Sequence, residues 1–215
     1  MKSFLLILIV LFSFGKSQAQ YSIRASMGID FTNTPSLNDY INQSGLTGGN
    51  AVKDFNTAVN FSGEFGYSVM NDFQIGFELG YLLNSFNYSA DLGKFELDYN
   101  ILSPNLLAYY ILDGIGYNFK FGGGFGLRFV NVDLSFPGTN LITNYSNTGY
   151  GFILRADGNT LLDGNVYANI GADLKYDING VPKSNGTALY NNISRENVNL
   201  NSLSFAIRLG ISFIF

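Results

Sequence analysis

Two-residue alternation of apolar and polar side chains runs through most of this chain, and that period belongs to β-strands rather than helices. In 21–31, Tyr21, Ile23, Ala25, Met27, Ile29 and Phe31 share one face, while Ser22, Arg24, Ser26, Gly28 and Asp30 share the other. The pattern returns in 59–69, 73–83, 117–129, 166–178 and 203–215, with Leu82 a misfit on a polar face. Two further stretches are less regular. In 96–112 the phase changes near Ser103-Pro104, where a bulge is expected because proline cannot donate to a ladder. In 148–162 the alternation weakens around Gly158. These segments make eight strands.

The connections alternate in length. Asn71-Asp72, Asp113-Gly114 and Asp163-Gly164 mark tight turns, and Asp-Gly is a strong hairpin signal. Long polar connections cover about 32–57, 136–147 and 179–197, with a shorter one near 90–94. Ser36 is placed to cap a short helix over 36–43 in the first of them. Short turns on one side and long loops on the other is the asymmetry of outer-membrane barrels, and an even strand number brings both termini to the short-turn side.

Alternation alone leaves open which face points outward. In a soluble lipid-binding barrel the apolar face lines the cavity; in a membrane barrel it meets lipid. The polar face here carries Arg24, Glu64, Glu78, Lys120, Arg128, Arg155, Asp173, Lys175 and Arg208, too many charges for an apolar ligand cavity. The apolar face is built of Phe, Leu, Ile, Val and Tyr over segments long enough for a tilted strand to cross the hydrocarbon. Composition agrees: 13% charged residues is about half the usual share, with 20 Phe, 14 Tyr and 25 Gly. Tyr21, Tyr67, Tyr117 and the Phe213/Phe215 pair fall at the level of a periplasmic aromatic girdle, and Phe31, Phe61, Tyr99 and Tyr150 at that of an outer one.

Residues 1–19 read as a secretory signal peptide: Lys2, an apolar core over 4–14, then Ser17-Gln18-Ala19 before the cleavage site. The fold class expected is all-β: an eight-stranded antiparallel up-and-down transmembrane β-barrel over 20–215, preceded by a cleaved signal peptide.

The last strand, SLSFAIRLGISFIF, alternates Phe205, Ile207, Leu209, Ile211 and Phe213 up to Phe215. With this motif, and with SPNLLAYYI over 103–111, the chain resembles the small outer-membrane β-barrel family of Gram-negative bacteria, the OmpA/OmpX-like and PorT-like group. The resemblance implies an outer-membrane location, contact with outer-membrane lipid and recognition of the last strand by the barrel-assembly machinery.

Hairpin arithmetic places Glu64 opposite Glu78 and Arg155 opposite Asp173. Two facing carboxylates are costly unless cations join them. Arg208 and Lys120, at a similar height above the turn end, and Arg24 on the adjoining first strand are the candidates, and Arg128 belongs to the same inward charge network. One reading is a proton or ion site. The favoured one is a structural charge network filling a lumen just wide enough for side chains, with the inward glycines Gly122, Gly124 and Gly126 making room for long cations.

The sequence has no His and no Cys, which removes the commonest general base and the commonest metal ligands. No cofactor or metal site is expected, and Asp and Glu on the loops are too sparse for a calcium cage. A net charge of -4 gives no electrostatic case for nucleic acid. Catalysis and diffusion through an open pore are both disfavoured. What remains is a structural or surface-binding barrel whose long loops meet extracellular or envelope proteins, with an accessory subunit of a secretion or assembly complex as the alternative and a soluble secreted lipid-binding β-barrel as a more remote one. Tyr40 and Tyr145 are candidate loop contacts, though packing is the more ordinary role for such tyrosines.

Overall fold

The structure, a computed structural model, describes residues 21–43, 56–90, 93–138 and 141–215. The expected leader and its cleavage site lie outside the described residues. Eight long antiparallel strands form the fold: β1 (Tyr21–Asn33), β2 (Asn56–Met70), β3 (Phe73–Ala90), β4 (Gly93–Gly114), β5 (Tyr117–Ser135), β6 (Ile142–Asp163), β7 (Val166–Ile178) and β8 (Ser202–Ile214). Each strand pairs with its sequence neighbours, and β1 pairs with β8, so the sheet closes on itself. At the seam Tyr21 N donates to Phe215 O at 2.7 Å and Phe215 N to Tyr21 O at 2.9 Å. Closure removes the free edges that an open sheet would present.

The turns sit slightly later than the Asp-Gly pairs suggest. β4 runs through Asp113-Gly114 and reverses at Ile115-Gly116; β6 runs through Asp163 and reverses at Gly164-Asn165. Gly116 (φ 79) and Gly164 (φ 53) occupy left-handed conformations, so the glycine fixes the turn and the aspartate only precedes it.

Side chains alternate outward and inward along every strand, and the outward set is apolar over one continuous band. Ile23, Phe65, Phe77, Leu106, Phe125, Leu154, Leu174 and Leu209 are all exposed. Tyr21 lies against Phe65, Tyr67 and Phe215 at the turn end, with ring centroids 5.4 to 6.0 Å apart.

Four strands continue beyond the band, and on β3, β4 and β5 the polarity inverts there. On β4 the odd residues face inward from Phe95 to Ile111 without a break. The outward residues are Leu112, Tyr110, Ala108, Leu106 and Leu102 within the band, then Asn100, Asp98, Glu96 and Lys94 above it. On β5 the outward Phe129 is followed by Asn131 and Asp133, and the inward Arg128 by Val130, Val132 and Leu134. The apparent phase change in β4 is therefore a change of environment. The expected bulge at Ser103-Pro104 is absent: the β3–β4 register is continuous there, and Leu102↔Phe129 and Asn105↔Gly126 keep one register across β4–β5. Pro104 lies in the one interruption of the β4–β5 pairing. Leu82, the misfit of β3, and Tyr99, expected in the outer girdle, both turn inward above the charged lumen.

Above the band the inward residues build a small water-soluble core. Phe95, Leu97, Tyr99 and Ile101 of β4 and Val130, Val132 and Leu134 of β5 pack with Leu37, Tyr40 and Ile41 of helix α1 (Pro35–Gln43) and with Leu189, Val198 and Leu200 of the last long loop. Pro35 takes the first helical position and Asn38 N donates to Thr34 O at 3.0 Å, so Thr34 rather than Ser36 precedes the helix. Ser36 Oγ instead accepts from Asn199 N at 3.1 Å, tying the helix to the loop. Tyr40 is buried and Tyr145 packs on the same core, so both are packing residues. Burial pushes the Tyr40 phenol up to about 12, with Tyr145 adding to the rise.

Candidate functional site

Among the described residues, the lumen below this cap holds twelve charged side chains in two equal sets: Arg24, Lys120, Arg128, Arg155, Lys175 and Arg208 against Asp30, Glu64, Glu78, Asp157, Asp173 and Asp177. All occupy inward positions of the alternation. Taking charges out of water is expensive unless each is paired and hydrogen-bonded, and equal numbers are the first condition for that.

Glu64 stands opposite Glu78 in the β2–β3 register, and Arg155 opposite Asp173 in β6–β7. Arg155 joins the two pairs: Nη1 donates to Glu78 Oε2 at 2.6 Å and Glu64 Oε2 at 3.1 Å, and Nε to Asp173 Oδ1 at 2.8 Å. Tyr109 OH adds a 2.7 Å bond to Glu64 Oε2. Arg24 pairs with Glu64 and Asp157. Arg208 reaches Asp157 Oδ1 at 2.8 Å and Asp173 Oδ2 at 3.0 Å. Nearer the cap, Arg128 Nε donates to Asp177 Oδ1 at 2.6 Å and Lys175 Nζ to Asp30 Oδ2 at 2.7 Å.

Two of the sequence-selected cations stand apart from the facing glutamates. Lys120 donates to Gln74 Oε1 at 2.7 Å and makes no ion pair among the described residues. Arg128 belongs to the upper layer, where Nη1 also donates to Asn105 Oδ1 at 2.8 Å. Asp157, Asp177, Asp30 and Tyr109 complete the arrangement without being singled out by the sequence pattern, although Asp157 and Asp177 share the inward parity of their selected neighbours Arg155 and Asp173.

The glycines that make room differ from those expected. A Cβ at Gly122, Gly124 or Gly126 would strike backbone carbonyls of Ala108, Leu106 or Pro104, so these residues let β4 and β5 approach closely. Gly151 and Gly171 make the space for charge. A Cβ on Gly151 would meet Asp177 Oδ1 and Arg128 Nη2, and one on Gly171 would meet Asp157 Oδ1 and lie 2.9 Å from Arg208 Nη2. Gly171→Ala is expected to lower the urea midpoint of the folded barrel by the equivalent of about 1–3 kcal/mol, the usual cost of overpacking. An unchanged midpoint would show that the ion pair yields freely.

A void of about 30 Å³ bordered by Glu78, Arg128, Arg155 and Asp177 has room for about one water. Asn118, Asn159 and Asn169 form a hydrogen-bonded chain toward the turn end, at 2.7 and 3.0 Å. Charged and amide side chains thus occupy the lumen at levels from the turns to the cap. The six residues Phe205, Ile207, Leu209, Ile211, Phe213 and Phe215 form the exposed outward row of β8 and the seam terminus. Among the described residues, no group of three His, Cys, Asp or Glu side chains is arranged to hold a metal ion.

No family model and no curated relative matches the chain. Among solved structures it is similar to Ail, the attachment invasion locus protein of Yersinia pestis, in complex with the heparin analogue sucrose octasulfate, at 13% identity and a TM-score of 0.52, covering 92% of this chain and 99% of that one. It is also similar to a major outer membrane protein from Thermus thermophilus, at 14% identity and a TM-score of 0.50, covering 92% and 99%. The chain has the fold of small outer-membrane β-barrels, and its outward band has the chemistry that meets lipid.

Proposed function

We propose that this chain is an integral outer-membrane barrel with a sealed lumen, whose task is to hold a folded cap outside the membrane as a structural and binding surface. The observation that carries the reading is the inversion of polarity along β3–β5: lipid-facing side chains and a charged interior within the band, a soluble-type core above it. The lumen cluster acts as neutral filling on this reading. Its carboxylates accept from arginines, lysine or amide groups, which leaves no free general base poised beside a nucleophile. The exposed row of β8 is the surface offered to the barrel-assembly machinery during insertion.

Purified protein in a planar bilayer is expected to give no discrete conductance steps, because no aqueous path crosses the ion-paired layers. Stepwise opening of the wild type at modest voltage would overturn the sealed reading.

The charge of the cap bears on its partners. Asp39, Glu96, Asp98, Asp133 and Glu196 face outward there against Lys94, Lys183 and Arg195 among the described residues, and Lys94 is paired with Glu96. An acidic cap repels sulfated polyanions. Sucrose octasulfate is expected not to bind this chain at millimolar concentration in low salt, and saturable binding measured by calorimetry would contradict that.

A further inference from the structure

The cap contains a cleft of about 420 Å³ that neither the sealed lumen nor the lipid-facing band requires. Its floor is a single register row, Asn33–Leu203–Tyr176, the last outward row above Phe31–Phe205–Leu174 of the apolar band. One wall is the first turn of α1, with Ser36 and Asp39; the other is the loop over 191–202, with Glu196 and Asn199. The cleft therefore opens at the height where lipid gives way to water. Its size is that of a small-molecule site.

The walls are held by groups that are already used. Asn191, 5% exposed, donates from Nδ2 to Gln43 Oε1 at 3.0 Å and accepts at Oδ1 from Ile193 N at 3.0 Å. Arg195, at φ 60, sits in a conformation uncommon for a long side chain, and its N–H donates to Asn191 O at 2.9 Å. That kink presents Ser194 and Glu196 to the cleft. The side chains of Asn33, Asp39, Tyr176, Glu196 and Asn197, by contrast, have no hydrogen-bond partner among the described residues. They offer amide donors, amide and carboxylate acceptors, a phenol and a flat ring with half its surface exposed.

We infer that this cleft is a saccharide-binding site. A sugar presents hydroxyls that both donate and accept, which matches mixed amide and carboxylate lining, and its C–H face stacks on an aromatic ring such as that of Tyr176. Among the described residues no lysine or arginine lines the cleft, and Asp39 and Glu196 disfavour phosphate and sulfate; neutral and amino sugars remain. Two sources fit the chemistry: the sugar portion of an outer-leaflet glycolipid, whose level the floor shares, and a free glycan arriving from outside. The inference rests on the surface-binding reading above and names the ligand class for it.

The test uses the full chain in lipid nanodiscs and in mild detergent, as wild type and as Asp39→Ala/Glu196→Ala. Calorimetry measures binding of a dephosphorylated core oligosaccharide freed from its acyl chains. Gel filtration in detergent measures retention of the intact glycolipid. The expected result is saturable binding in at least one arm, weakened tenfold or more in the variant. Binding of the free oligosaccharide assigns the site to soluble glycans. Retention of the glycolipid alone assigns it to the membrane's own sugars. Absence of binding in both arms, or equal binding by wild type and variant, overturns the inference. The same preparations are run boiled and unboiled and tested for conductance, so a loss of the saccharide site is distinguished from a failure of the sealed barrel itself.

Discussion

Arg155→Ala is expected to lower the unfolding free energy of the barrel by about 3–5 kcal/mol, the cost of removing one partner from a buried charge pair. Arg155 is the bridge among Glu64, Glu78 and Asp173, and its side chain is 1% exposed. Without it the two glutamates of β2 and β3 face each other across a register pair with one cation fewer between them. Part of the loss should return in Arg155→Ala/Glu78→Gln, since neutralising Glu78 removes the charge that Arg155 balanced. That recovery separates an electrostatic cause from the loss of side-chain volume, which the second substitution leaves uncorrected. Urea titration of the folded band measures all three proteins. A midpoint that stays at the wild-type value in Arg155→Ala would refute the idea that these ion pairs hold the lumen together.

Phe125→Lys is expected to cost about 2–4 kcal/mol in lipid, as a cation placed near the middle of the lipid-facing band does. Asn131→Lys, three outward positions further along the same strand, is expected to cost close to nothing. Phe125 is 60% exposed and Asn131 is exposed too, so solvent accessibility alone gives no reason for the difference. The contrast follows from where the outward face of β5 passes from Phe129 to Asn131. Equal costs, measured by folding into vesicles across a urea series, would place both residues in one environment and remove the basis for the cap.

Much of this architecture is legible in the sequence because a closed barrel with lipid outside and charge inside needs strict alternation, and alternation survives in a single chain. The pairing of Glu64 with Glu78 and of Arg155 with Asp173 follows from counting about tight turns. Three things are hidden. Alternation taken with one polarity throughout makes Phe95, Leu97 and Tyr99 look like a slipped phase rather than the inner face of a strand that has left the membrane. The short helix over 36–43 is expected, but its packing is not: α1 and the loop that closes on it come from segments without period, and their contacts are long-range; nothing near Ser36 in the sequence indicates that its hydroxyl meets Asn199. The space-making role of Gly151 and Gly171 is equally invisible, because it depends on which cation crosses the lumen at their level.

Folding the chain over 20–215 into lipid vesicles and running the vesicle fraction unboiled and boiled on a gel shows whether the barrel is closed and its apolar face meets lipid. The expected result is protein that stays with the vesicles after an alkaline wash and changes mobility on boiling. Protein left in the soluble fraction, with one mobility before and after boiling, would contradict it.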